Sequence, residues 1–264
     1  MSGRTVIVTG ASSGIGEATA RAFGRTGDRV VLTARRVDRL QRLAAELPES
    51  LVVQADLTKP EEIGRIVSKT LGRYETIDVL VNNAGFGRYD WLERLAEDEI
   101  RTEIEVNLIA PILLARAVLP SMLARGRGVI INVASVAGRV GTPTMAIYNT
   151  TKFGLHGFGE ALYRELKPRG VEVCTIYPGG VAGTEFGKTK RARISVSTPG
   201  WLRLTAEQVA AEIVQLAARP RPRRILPWFF SPVVAINALV PSVVDAVTMR
   251  AARRALPAPP APRA

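Results

Sequence analysis

Short apolar runs alternate with amphipathic stretches along most of the chain. Thr5–Thr9, Val30–Ala34, Leu51–Ala55, Val79–Val81, Val129–Ala134 and Val171–Tyr177 are β-branched or apolar runs that predict strands. Between them, Ile15–Arg25, Arg39–Leu47, Glu61–Leu71, Asp98–Arg125 and Ile147–Lys167 carry the helical period, the second ending before Pro48. Near-continuous apolar strands separated by amphipathic helices predict a parallel sheet covered on both faces. The expected fold class is α/β, a single doubly wound domain. Its sheet has about seven strands in the order 3-2-1-4-5-6-7, joined by right-handed crossovers. Arg223-Arg224-Ile225-Leu226 supplies the last short strand.

Two stretches break the rhythm. Gly179–Gly200 is rich in glycine, threonine and basic residues and fits neither period, and residues 183–204 are expected to form a substrate loop. Ile225–Val244 is free of charge for 20 residues, but Pro227, Pro232, Pro241 and Asn237 interrupt it, which argues against a straight membrane span. The chain therefore divides into a domain over residues 1–228 and an apolar, arginine-rich extension over 229–264. The end of that extension, Pro257–Ala264, has the composition of a disordered tail.

Composition removes several chemistries. One cysteine, Cys174, cannot form an internal disulfide, and one histidine, His156, cannot build a multi-histidine metal site. No metal is expected. A Ser-His-Asp hydrolase would rest on His156 alone, which lies two turns beyond Tyr148 with no obvious partner and reads as structural. The first ten residues lack a secretory core, so a cytoplasmic location is expected. The formal net charge is +12, and about +7 of it lies from Arg219 onward, where eight arginines face one acid, Asp245. Such a segment suits anionic lipid, an acidic carrier or nucleic acid, and equally a solvated face. Peripheral membrane contact is an open expectation; nucleic acid is not favoured.

The first strand runs into Thr9-Gly10-Ala11-Ser12-Ser13-Gly14-Ile15-Gly16. Glycines there permit a tight turn and a close approach to a pyrophosphate, and the following helix start offers free N–H groups and partial positive charge. The second strand ends in Arg35-Arg36, with no acid from Arg29 to Val37. An acid would suit the ribose 2′-hydroxyl of NAD(H); arginine suits the 2′-phosphate of NADP(H), which is the favoured cofactor.

These motifs resemble the short-chain dehydrogenase/reductase family, a Rossmann-type group, from Thr5 to about Thr184. The ordered pieces are the glycine turn, Asp56-Leu57, Asn82-Asn83-Ala84-Gly85, Asn107, Ser135, Tyr148-x3-Lys152 and Pro178-Gly179. The resemblance implies that Gly10, Ser12, Ser13, Gly14, Ile15, Gly16, Arg35, Arg36, Asp56 and Leu57 meet the nucleotide end of the cofactor. It implies that Asn82 and Ala84 flank the cofactor and that Asn82-Asn83-Ala84-Gly85 braces the sheet. Pro178, Gly179, Val181 and Thr184 would meet the nicotinamide end. Taken alone, Asp56 fits a helix cap and Pro178-Gly179 a plain turn.

The implied catalytic set is Asn107, Ser135, Tyr148 and Lys152. Tyr148 and Lys152 are spaced to share one helix face, and a nearby ammonium favours the phenolate. Ser135 would hold the substrate oxygen near Tyr148, and Asn107 would hold a water linking Lys152 to solvent. By itself a Tyr-x3-Lys pair is an ordinary exposed helix pair; its company changes that reading. The implied activity is NADP-dependent hydride transfer between a carbonyl and an alcohol. Val136, Phe86, Trp201 and the apolar tail lean toward a bulky apolar substrate. The basic loop residues Lys188, Lys190, Arg191 and Arg193 keep a 3-oxoacyl-carrier-protein reductase in view, although the Asp-Gly-Gly ending common in that group is missing. A non-catalytic NADP-binding regulator is the other alternative. The resemblance implies a homodimer or homotetramer.

Overall fold

The computed structural model describes residues 3–183, 185 and 203–255. Its centre is a seven-stranded parallel sheet in the order β3-β2-β1-β4-β5-β6-β7. The strands are β1 (Thr5–Thr9), β2 (Arg29–Ala34), β3 (Ser50–Gln54), β4 (Val79–Asn82), β5 (Gly128–Val133), β6 (Val171–Pro178) and β7 (Arg223–Leu226). The order and the parallel sense are those expected from the sequence.

Alternation along each strand builds two cores. Ile7, Val31, Leu80 and Ile130 point to one face, where they meet Ile63, Ile66, Leu114 and Leu162. Val6, Val8, Leu32, Val81 and Ile131 point to the other and meet Phe23, Leu40, Val209 and Ile213. All five residues of β1 are buried, so a one-residue slip would exchange the two faces throughout.

The helices are α1 (Gly14–Arg25), α2 (Val37–Ala44), α3 (Pro60–Tyr74), α4 (Glu97–Ile104), α5 (Ala110–Ala124), α6 (Ala146–Leu166), α7 (Ala206–Ala218), α8 (Phe230–Leu239) and α9 (Pro241–Ala255). The long helical stretch expected over Asp98–Arg125 is not uniform: a π-helical turn, Glu105–Ile109, joins α4 to α5. α7 begins with a reciprocal cap. The Gln208 amide N–H donates to Thr205 Oγ1 at 3.2 Å, and the Thr205 N–H donates to Gln208 Oε1 at 2.9 Å. α7 then lies against α1 through Val209, Ile213 and Leu216. The ends of the expected substrate loop are tied together, since Ala182 N–H donates to the Leu204 carbonyl at 2.8 Å. Thr184, Trp201 and the four basic loop residues lie outside the described residues, as does Pro257–Ala264.

Candidate active site

The functional side chains collect at the carboxyl ends of β1, β4, β5 and β6, where open parallel sheets bind ligands. A second concavity, at the amino ends, is lined by Arg4, Arg29, Arg125 and Arg127. There Arg4 is held by Asp28 and Arg125 by Asp78.

The turn after β1 requires its glycines for packing as well as for approach. Gly10 has φ +68°, and a Cβ on it would stand 2.9 Å from Ala84 Cα. Gly14 has φ +56°. A Cβ on Gly16 would stand 2.2 Å from the Gly10 carbonyl oxygen. Ile15 anchors the turn in the core. Thr9 joins this turn to the next: its hydroxyl donates to the Val81 carbonyl and accepts from the N–H groups of Asn83 and Ala84, both at 2.9 Å. Asn83 Nδ2 donates to the Thr9 carbonyl at 2.8 Å. Asn82 lies where the sheet-bracing role implied for it would need it. It is buried between strands, where its amide donates to Asn132 Oδ1 at 3.0 Å, and so serves the sheet.

Of the two arginines after β2, Arg36 reaches the glycine turn. Its guanidinium donates to Ser13 Oγ at 2.8 Å and to Ser12 Oγ at 3.0 Å. Arg36 also grips Glu185 at 2.7 Å, and Arg39 grips the other oxygen of that carboxylate at 2.9 Å. The Arg36 and Arg39 hydrogen bonds push the Glu185 carboxyl down to about 2. A carboxylate thus sits between two guanidiniums, one of which is held by the glycine-turn serines, and this donor set fits an anion such as a ribose phosphate. Arg35 is exposed, and its charge acts on Asp56. Asp56 makes the local cap open to it, accepting from the N–H and hydroxyl of Thr58. Burial pushes its carboxyl up, but the Thr58 bonds and the charges of Arg35 and Lys59 outweigh this and hold it below its ordinary value. Leu57 is buried in the core.

At the other end, the π-helical turn presents Asn107 inward. Such turns recur at functional sites. Asn107 is fully buried. Its Oδ1 accepts from the Phe86 N–H at 3.0 Å, and its Nδ2 donates to the Phe86 carbonyl at 2.7 Å and to Thr151 Oγ1 at 3.3 Å. A Cβ on Gly85 would approach Asn107 Oδ1 at 3.1 Å and Lys152 Nζ at 3.5 Å. Gly85, Asn107 and Lys152 are therefore neighbours.

α6 carries Tyr148 and Lys152, both buried. Lys152 Nζ donates to the Val133 carbonyl at 2.9 Å and lies 5.6 Å from the centre of the Tyr148 ring. Burial pushes the ammonium down to about 8, partly opposed by the charge of Glu103. Ser135 follows β5. Its Oγ donates to the Pro178 carbonyl at 3.3 Å and accepts from the Ala137 N–H at 3.1 Å. Burial pushes the Tyr148 phenol well above its ordinary value, and a hydrogen bond with Ser135 works the other way. Two hydroxyls thus stand side by side with a buried ammonium one helical turn away.

Gly179 is fixed by its N–H to the Leu226 carbonyl at 2.7 Å, and Val181 bridges to Leu204. His156 does have partners. Nδ1 is 2.7 Å from the Tyr177 hydroxyl and Nε2 is 3.1 Å from Arg139 Nη1. It braces the turn after Ser135, in keeping with a structural role. Sequence reasoning missed Glu103. This α4 carboxylate is 1% exposed and 3.4 Å from Arg88 Nη1. Burial pushes it up to about 7, against the Arg88 charge and hydrogen bonds. An acid on a charged helix gives no signal of burial. Thr9, which the glycine motif includes, and Thr151, beside Lys152, were legible as neighbours but not as struts.

Known proteins resemble the chain in sequence and fold. The chain is 38% identical over 187 residues to a 3-oxoacyl-[acyl-carrier-protein] reductase of Synechocystis sp., covering 69% of this chain and 76% of the relative. A metagenomic short-chain oxidoreductase solved in complex with NADP superposes with a TM-score of 0.74 at 34% identity, over 86% of this chain and 97% of that one. A short-chain dehydrogenase from Streptomyces avermitilis superposes at 0.80 and 30% identity, over 97% of this chain and 99% of that one, so the likeness takes in most of the segment beyond the sheet. The family description "short chain dehydrogenase" fits residues 4–195. The sheet order, the glycine turn and these likenesses agree, and the chain belongs to the short-chain dehydrogenase family of oxidoreductases.

Proposed function

We propose that the protein is an NADP(H)-dependent oxidoreductase that interconverts a carbonyl and an alcohol, with Tyr148 moving the proton. The observation that carries this reading is the cluster of Ser135, Tyr148 and Lys152 at the carboxyl ends of β5 and β6, with a guanidinium anion grip at the far end of the same sheet edge. A dinucleotide would be held by the turn Gly10–Gly16, by Arg35, Arg36 and Arg39, by Asp56, and by Asn83–Gly85. When bound in reduced form, the nicotinamide supplies the hydride.

The protein supplies the rest. Ser135 and Tyr148 offer two hydroxyls to one carbonyl oxygen and so orient it. The high proton affinity of the buried phenol keeps Tyr148 in the acid form that reduction uses. Lys152, protonated below about 8, supplies positive charge that stabilises the phenolate once its proton has gone. Asn107 and Thr151 hold the Tyr148–Lys152 turn against Phe86, which keeps the proton donor in place. The expected water relay through Asn107 is part of this proposal.

The test is NADPH consumption over a panel of ketones, quinones and acyl thioesters. Turnover with NADPH exceeding that with NADH is the expected result, and failure on every class would refute the reading. A 3-oxoacyl-carrier-protein reductase is the second reading, favoured by the Synechocystis relative. Faster turnover on carrier-bound than on free acyl thioesters would select it. A homodimer or homotetramer is proposed on the family's habit.

A further inference from the structure

We propose that the α8–α9 hairpin docks the protein on a lipid bilayer that carries anionic headgroups. Only Ser231 and Asn237 are polar among the ten residues of α8. Yet Val234 is the buried residue of that helix, and Leu239 is 82% exposed. A helix apolar on all sides is ordinarily buried in a core or in lipid. Trp228, at the foot of α8, is 74% exposed, the placement tryptophan favours at a membrane interface. α9 continues the apolar surface through Val243 and Val247.

The hairpin is anchored beside the reaction end. The Phe230 ring packs on Gly179, where a Cβ would meet it at 2.8 Å, and Asn237 Nδ2 donates to the Arg139 carbonyl at 3.1 Å. Its geometry fits one leaflet. At 1.5 Å per residue α8 is about 15 Å long, half of a hydrocarbon core of about 30 Å. The chain then turns back by 117° before Pro241.

Charge selects lipid over a second copy. Beyond β7 the sequence carries four arginines, Arg250, Arg253, Arg254 and Arg263, against one acid, Asp245. Pairing this face with itself would bring two such basic segments together, whereas anionic headgroups neutralise them.

The experiment is flotation of the full chain with phosphatidylcholine vesicles, with and without phosphatidylglycerol, at low and high salt. Binding to the anionic vesicles is expected to exceed that to neutral ones by about tenfold or more and to weaken with salt. The double variant Leu239→Ser, Val247→Ser should bind about tenfold more weakly with an unchanged melting temperature. Arg250→Glu, which leaves the apolar face intact, should weaken binding to anionic vesicles only. The proposal is overturned by absence of flotation at low salt, by unaltered binding of the variants, or by size-exclusion data in which the serine variant dissolves a dimer that does not float.

Discussion

Replacing Glu103 with glutamine should stabilise the protein at alkaline pH and leave it unchanged at acidic pH. Glu103 is buried, and its carboxyl holds its proton up to about 7, while an unfolded glutamate releases it near 4.5. The folded state therefore binds more protons than the unfolded state between these values, and stability falls as pH rises through that window. At about 1.4 kcal/mol per tenfold in proton affinity, the gap from 4.5 to about 7 corresponds to roughly 3 kcal/mol. Glutamine fills the same volume without a charge to desolvate. For a domain of this size roughly 3 kcal/mol moves the melting temperature by about 6 °C or more. The assay is a pair of thermal melts from about pH 3 to about pH 9, in about one-unit steps, so that the acid end lies below the unfolded value. The difference between variant and parent should be near zero at the acid end and grow to about 6 °C above neutrality. A difference that stays flat with pH refutes the assignment of a buried, reluctantly ionised carboxylate. A second readout is kinetic. The Glu103 charge raises the proton affinity of Lys152, so the alkaline limb of kcat/KM should move to lower pH in Glu103→Gln.

Other outcomes follow from the same geometry. Gly16→Ala should lower the melting temperature and weaken NADPH binding by about tenfold or more, measured by melts and fluorescence titration, because its Cβ would meet the Gly10 carbonyl at 2.2 Å. Arg36→Ala should raise the KM for NADPH by about tenfold while leaving that for NADH nearly unchanged, as charge-assisted bonds to a phosphate are worth roughly 1.5–3 kcal/mol. Arg35→Asp should shift the cofactor ratio toward NADH, and an unchanged ratio in parallel assays would mark that arginine as a bystander. Asn107→Leu leaves the Phe86 N–H and carbonyl without their partner, so a loss of roughly 3 kcal/mol in a denaturant titration and a tenfold or greater fall in kcat are expected.

The sheet was legible because its strands are buried on both faces and therefore stand out as apolar runs between helices. The glycine turn was legible because positive φ at Gly10 and Gly14 leaves few other residues possible. Helical spacing put Tyr148 and Lys152 on one face, but their pairing with Ser135 was legible only through the family resemblance. What stayed hidden depends on tertiary packing. The π-helical turn at Asn107 is one residue wider than an α-helical turn, and so short an irregularity inside a long helical stretch gives no distinct sequence signal. Arg35 and Arg36 are adjacent and chemically alike; the direction of the chain leaving β2 decides that Arg36 meets Ser12 and Ser13. Glu103 reads as a surface acid until α4 packs beside α6 and buries it. The partners of His156 lie on β6 and on the turn after Ser135, too far along the chain to be paired by eye.

The most direct test of the proposed chemistry is the turnover of Tyr148→Phe with NADPH and a carbonyl that the parent reduces. The phenyl ring keeps nearly all of the buried volume and loses only the hydroxyl that carries the proton. A fall in kcat of at least about 10²-fold with NADPH affinity retained is expected, since positioned acid–base groups contribute that much. Near-parental turnover in a folded variant would contradict the assignment of Tyr148 as the proton donor.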